Sequence, residues 1–125
     1  MVGRQVINDP FYWRTVDQLL YNATDKTKSR REVLEQYASY AEEVEKREGP
    51  RCRPSLMKPV LGGGLHYIQT LMIWHNALGL FAGCANGRKF RREIDERMRD
   101  KGRSVASIML DSMTSSLDDA VLEEV

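Results

Sequence analysis

The stretch LHYIQTLMIWHNALGLFAGCA, residues 65–85, is the longest apolar run in the chain, and its reading decides the fold. At 100° of rotation per residue, His66, Gln69, Thr70, Asn76 and Ala77 gather on one side, interrupted by Ile73. Leu65, Ile68, Leu71, Met72, Trp74, His75, Leu78 and Phe81 fill much of the remaining circumference. A helix that is apolar over most of its surface belongs inside a bundle. Gly62, Gly63 and Gly64 give it a flexible or tight entry, and Asn86-Gly87 is expected to close it, with Gly87 in the left-handed conformation. Gly79, Gly83 and Gly87 recur every four residues and would leave a strip where another backbone can approach closely. At roughly 20 residues the stretch is long enough to cross a bilayer. Five polar side chains, His66, Gln69, Thr70, His75 and Asn76, are costly in hydrocarbon. A buried helix in a soluble protein is therefore the expectation, and a membrane partner is not.

Outward from this stretch the pattern stays helical. Asp9-Pro10 reads as an N-cap followed by a first-turn proline, with Trp13, Val16 and Leu20 on one face of a helix to about Asn22. Ser29 and Glu32 form a capping box before an amphipathic helix whose apolar face is Val33, Leu34, Tyr37, Ala38, Tyr40, Ala41 and Val44. Glu42 with Lys46, and Glu43 with Arg47, stand four apart in the favourable order. Gly49-Pro50 stops that helix, and residues 51–64 read as a basic linker with two prolines and three glycines. In residues 88–103, Phe90, Ile94 and Met98 make a narrow apolar seam among many charges. Ser104 caps a further helix with Val105, Ile108, Met109 and Met113 on one face. Ser115 and Asp118 give a weaker capping signal before Leu117, Val121 and Leu122. No stretch alternates with period two. The fold expected is all-α, a compact single-domain bundle of four to five helices around residues 65–85, with residues 116–125 an acidic tail that is either mobile or bound to a partner.

Length and composition fit that expectation. The 125 residues suffice for one core, and 42% hydrophobic with 30% charged is ordinary for a globular chain. The opening MVGRQVINDP lacks the apolar core of a signal peptide, and two cysteines make no disulfide framework, so an intracellular location, cytoplasmic or nuclear, is expected. The overall charge of +1 conceals an uneven distribution: −1 over residues 1–50, +7 over 51–103 and −5 over 104–125. Such a basic middle faces either a polyanion or the acidic tail.

Catalytic motifs are missing. Cys52, Cys84, His66 and His75 contain no close ligand pair of the kind that organises structural zinc, so no metal or cofactor is expected. Carboxylates all lie in charged helix faces, and no triad or phosphate loop is present, so an enzyme is not expected.

The favoured function is therefore a non-catalytic adaptor or assembly subunit that binds a protein partner or a second copy of itself. Its contact surfaces would be the aromatic start Phe11, Tyr12 and Trp13, the strip Gly79 and Gly83, and the seam Phe90, Ile94 and Met98. The alternative is binding of nucleic acid, RNA in a nucleoprotein or a viral accessory factor. Arg51, Arg53, Lys58, Arg88, Lys89, Arg91, Arg92, Arg97, Arg99 and Arg103 would then neutralise phosphates. A third reading is a membrane-associated subunit that uses residues 65–85.

Overall fold

The structure, a computed structural model, describes residues 10–24, 26–61, 80–81 and 83–124. The expected all-helical bundle is what it shows. Six α-helices follow one another: α1 (Val16–Tyr21), α2 (Arg30–Glu48), α3 (Arg53–Leu61), α4 (Gly87–Arg97), α5 (Val105–Ser116) and α6 (Asp119–Leu122). Short 3-10 turns at Pro10–Thr15 and Pro50–Cys52 precede α1 and α3. Among the described residues there is no strand.

Residues 62–79 and 82 lie outside the described residues, and most of the expected central helix lies with them, including Gly79, His66 and His75. At its C-terminal end the expectation needs correcting. Leu80 and Phe81 sit in a turn, and Gly83 is a turn glycine at φ +67° with open space around it. Asn86, not Gly87, takes the left-handed conformation (φ 62°), and Gly87 opens α4. Gly87 is needed there for space, because a Cβ would lie 3.1 Å from the Phe81 carbonyl oxygen.

Among the described elements α5 is the most enclosed. It packs against α2 on one side and α4 on the other, and buries Val105, Ala106, Ile108, Met109, Ser112, Met113 and Ser116. Helix α2 contributes Leu34, Ala38, Ala41 and Val44, and α4 contributes Phe90 and Ile94. Tyr40 departs from its expected face and is exposed. Each fully buried aliphatic here contributes about 1.5–3 kcal/mol of transfer free energy. Two of the expected N-caps form. Ser29 and Glu32 form the reciprocal box at α2, and the Ser104 hydroxyl accepts from the Ser107 amide (3.2 Å) at α5. Glu42–Lys46 forms at 3.3 Å, whereas Arg47 turns to its neighbour Glu48 (3.0 Å).

Helix α3 was not anticipated in the proline-bearing linker. Pro54 falls in its first turn, where no amide hydrogen is needed. Leu56, Met57 and Val60 then reach the core, and the Tyr37 hydroxyl donates to the Leu56 carbonyl (2.8 Å). At the other end, α1 buries none of its residues: Leu19, Leu20 and Tyr21 are exposed.

The acidic C-terminus is docked on the rest of the chain. Leu117 and Leu122 are buried, and α6 lies against α2. Its carboxylates pair with Arg30 and Arg31, not with the basic middle: Arg30 with Glu124, and Arg31 with Glu123 and with Asp119 (2.7 Å). Asp118 stands at the N-cap of α6 and makes no side-chain cap. Arg30 is a buried hub. Its guanidinium lies 3.7 Å over the Phe11 ring, and its Nε donates to the Leu80 carbonyl (3.2 Å).

The α4–α5 seam holds a polar cluster. Glu93 accepts from the Ser115 hydroxyl and from Arg97 (2.7 Å), and Arg97 also donates to the Ser112 hydroxyl (3.0 Å). The Ser115 hydrogen bond, aided by Arg97, holds the Glu93 carboxyl below its ordinary value. A depressed carboxyl stabilises the fold above its unfolded pKa, and that contribution fades as pH falls through the folded value. The midpoint of urea unfolding is therefore expected to drop on acidification from pH 6 to pH 3. Glu93→Gln should drop less over the same range. An equal drop in both proteins would contradict the assignment.

Candidate nucleic-acid interface

The structure sorts the basic residues into two groups. Arg53 is buried; it pairs with Glu45 (3.0 Å) and donates to the Arg103 carbonyl. Arg97 is occupied by Glu93, Ser112 and Ser115, and Arg103 by Asp111 and Ser107. Arg91 is half-buried, and burial pushes its guanidinium below the usual arginine range. These four are engaged in the internal structure. The side chain of Lys58 lies outside the described residues.

Arg51, Arg88, Arg92 and Arg99 are exposed and carry no ion pair among the described residues. Lys89, also exposed, reaches the Ser115 carbonyl (3.4 Å) near the C-terminus of α5, where a cation is favoured. The seam that fixes α4 determines which way the free arginines face. Phe90 and Ile94 point into the core, with Phe90 edge-on to Phe81 at 4.7 Å between ring centroids. Met98 is partly buried behind them. Continuing the helical count to Arg99, the side chains of Arg88, Arg92 and Arg99 fall within about 40° of one another on the outer face. They are spaced at about 6 and 10 Å along the axis. Exposed Asp95 and Glu96 flank this stripe.

The start of α4 adds to its positive character. The first turn holds no acidic side chain, and Asn86 makes no side-chain cap. Helix-start amides and the positive end of the dipole therefore stand beside Arg88 and Lys89, an arrangement that suits anions.

The expected protein-contact residues divide as well. Phe11 is buried beneath the guanidinium groups of Arg14 (4.3 Å) and Arg30 (3.7 Å), so it is core, as are Phe90 and Ile94. Tyr12 is exposed, and Trp13 is half-buried edge-on to it, 5.8 Å between ring centroids. Sequence reasoning missed Lys26, Lys28 and Arg31, because near-neutral charge over the first fifty residues hid them.

Among the described residues no group of three or more His, Cys, Asp or Glu side chains could hold a metal. Cys52 and Cys84 form no disulfide, and each is partly buried. No described helix is long and apolar enough to cross a membrane.

No family model matches this chain, and no solved structure does. Over 110 residues, 88% of its length, the chain is 29% identical to a tRNA-dihydrouridine(20/20a) synthase of Shewanella oneidensis. The matched part makes up 27% of that enzyme, so the chain spans about a quarter of the length of the curated relative it is similar to.

Proposed function

We propose that this chain is a non-catalytic helical module that holds RNA, tRNA in the first instance, for an RNA-modifying enzyme. The observation that carries the reading is the exposed arginine stripe, Arg88 and Arg92 on α4 with Arg99 in the turn that follows it. Similarity to a segment of a tRNA-modifying synthase supports the choice of RNA over other polyanions. The mechanism is electrostatic positioning. Three guanidinium groups on one rigid face engage successive phosphates, and the helix start contributes oriented amides. Such contacts fix orientation and carry no sequence information. Discrimination between RNAs would come from shape.

The test is fluorescence anisotropy with a labelled tRNA transcript at 150 mM salt. Replacing Arg88, Arg92 and Arg99 together by alanine should weaken binding about 10- to 50-fold, as expected for the loss of three phosphate contacts. Replacing Arg97, which is already paired inside the fold, should act mainly on stability. Equal affinity of the triple variant and the wild type would refute the reading.

A second reading, as a protein-binding or self-associating subunit, is favoured by one observation. Leu19, Leu20 and Tyr21 of α1 are exposed together, with Tyr12 exposed on the preceding turn. Mass by light scattering, with and without nuclease, separates a self-associating protein from one that carries RNA.

A further inference from the structure

We propose that the acidic C-terminal segment occupies a second phosphate-binding groove, lined by Lys26 and Lys28 with Arg31 at its edge as the partner of Glu123, and that RNA phosphates displace it. The inference rests on the RNA-holding role above and adds a site on the opposite end of α2 from α3. An open groove of about 630 Å³ lies where the loop before α2 meets the tail. Its lining includes Lys26 and Lys28, with Glu32 and Glu123 as the acidic members. Those two acids are not equivalent. Glu32 is tied to the Ser29 amide (2.9 Å) in the capping box and belongs to α2 itself. Glu123 reaches the groove from the far end of the chain and is held there by Arg31, which also takes Asp119 at 2.7 Å.

Arg31 therefore has two carboxylates around one guanidinium, an arrangement that also suits the oxygens of a phosphate. Glu124 beside them pairs with Arg30. When the tail lifts, the groove retains Lys26 and Lys28 against Glu32, and Arg31 beside it keeps Glu35 as its acidic neighbour. Lys28 then holds only its neutral partner Gln36 (2.8 Å). Asp119, Glu123 and Glu124 are all at least half exposed. The two pairs on Arg31 hold weakly and are screened by salt, whereas Glu124 is held by the buried Arg30. A polyanion that brings several phosphates at once can replace them, because the site gains contacts it lacked. Leu117 and Leu122 stay buried under α6 in the resting fold, so neutralising the charges leaves the apolar anchor intact.

The experiment neutralises the tail without shortening it. Asp119→Asn, Glu123→Gln and Glu124→Gln are combined and compared with Glu42→Gln, Glu43→Gln and Glu48→Gln, which change the net charge equally at the other end of α2. Labelled tRNA transcript is titrated at 150 mM salt. The tail variant should bind about three- to tenfold more tightly, and the control within about twofold of wild type, because distant charges are screened. Adding Lys26→Ala and Lys28→Ala to the tail variant should remove the gain. In the wild type, amide exchange over residues 119–124 should accelerate on RNA binding. An unchanged affinity of the tail variant, with Arg88, Arg92 and Arg99 still needed for binding, would overturn the groove alone. Failure of wild type and tail variant alike to bind tRNA would overturn the groove and the RNA-holding role together. An equal gain in the control would reduce the effect to net charge and overturn the groove.

Discussion

Replacing Glu45 with alanine is expected to lower the stability of the fold by about 3 kcal/mol, the scale for orphaning one member of a buried ion pair. The reason is that one carboxylate performs two tasks. Its Oε1 accepts from Arg53 (3.0 Å), and its Oε2 accepts from the Val105 amide (3.0 Å) at the start of α5. Glu45 thus supplements the Ser104 cap of α5 from a different helix, sixty residues away in sequence. Both partners are well shielded, with 16% of the Glu45 side chain and 9% of the Arg53 side chain exposed. Removing the carboxylate leaves the Arg53 guanidinium with only the Arg103 carbonyl, and its Nε already lacks a partner among the described residues. For a chain of this size the melting temperature should fall by about 10 °C. Glu45→Gln keeps an acceptor for Val105 and loses the charge, so it should lie between wild type and Glu45→Ala. Thermal melts followed by circular dichroism check both, and a Glu45→Ala variant that melts with the wild type would refute the bridging role.

The second large effect is expected at Phe90. Its side chain is 2% exposed and meets Phe81 edge-on. Truncation to alanine should cost about 4 kcal/mol, from lost transfer free energy, a residual cavity and the lost aromatic pair. Urea unfolding measures this directly. Phe90→Leu, which keeps most of the volume, should recover more than half of the loss. The consequence extends to function, because Phe90 and Ile94 fix the rotation of α4 and so present Arg88, Arg92 and Arg99 outward. Phe90→Ala should weaken tRNA binding even at temperatures where the chain stays folded. Full stability in that variant would place the ring outside the core and remove the reason for the stripe's orientation.

Much of the fold was legible in the sequence, and the legible parts share a cause. Capping at Ser29 and Ser104, and the apolar faces of α2 and α5, depend on residues a few positions apart, so local chemistry determines them. Helix α3 was hidden because prolines speak against a helix; Pro54 falls in a first turn that tolerates it, and Pro59, inside the helix, forgoes one backbone hydrogen bond. The docked tail could have been found from Leu117, Val121 and Leu122, whose spacing already implied a face to bury. The site was only half legible. Composition located the basic segment, but it could not separate Arg92 from Arg53, Arg97 and Arg103. That separation depends on pairing. Glu45 neutralises Arg53 across two helices, Asp111 takes Arg103, and Arg97 adds Ser112 and Ser115 of α5 to its i,i+4 pair with Glu93. Seam residues Phe90 and Ile94 were read as an outer surface for the complementary reason. A narrow apolar stripe on a charged helix does not announce whether its partner is the same chain or another.

The most direct measurement of the central claim is the salt dependence of tRNA affinity for the wild type and for the variant lacking Arg88, Arg92 and Arg99. If those three side chains neutralise phosphates, the slope of log affinity against log salt should shrink by about 2–3 in the variant, the contribution of three released counterions. Parallel slopes in the two proteins would show that the outer face of α4 does not touch the RNA backbone.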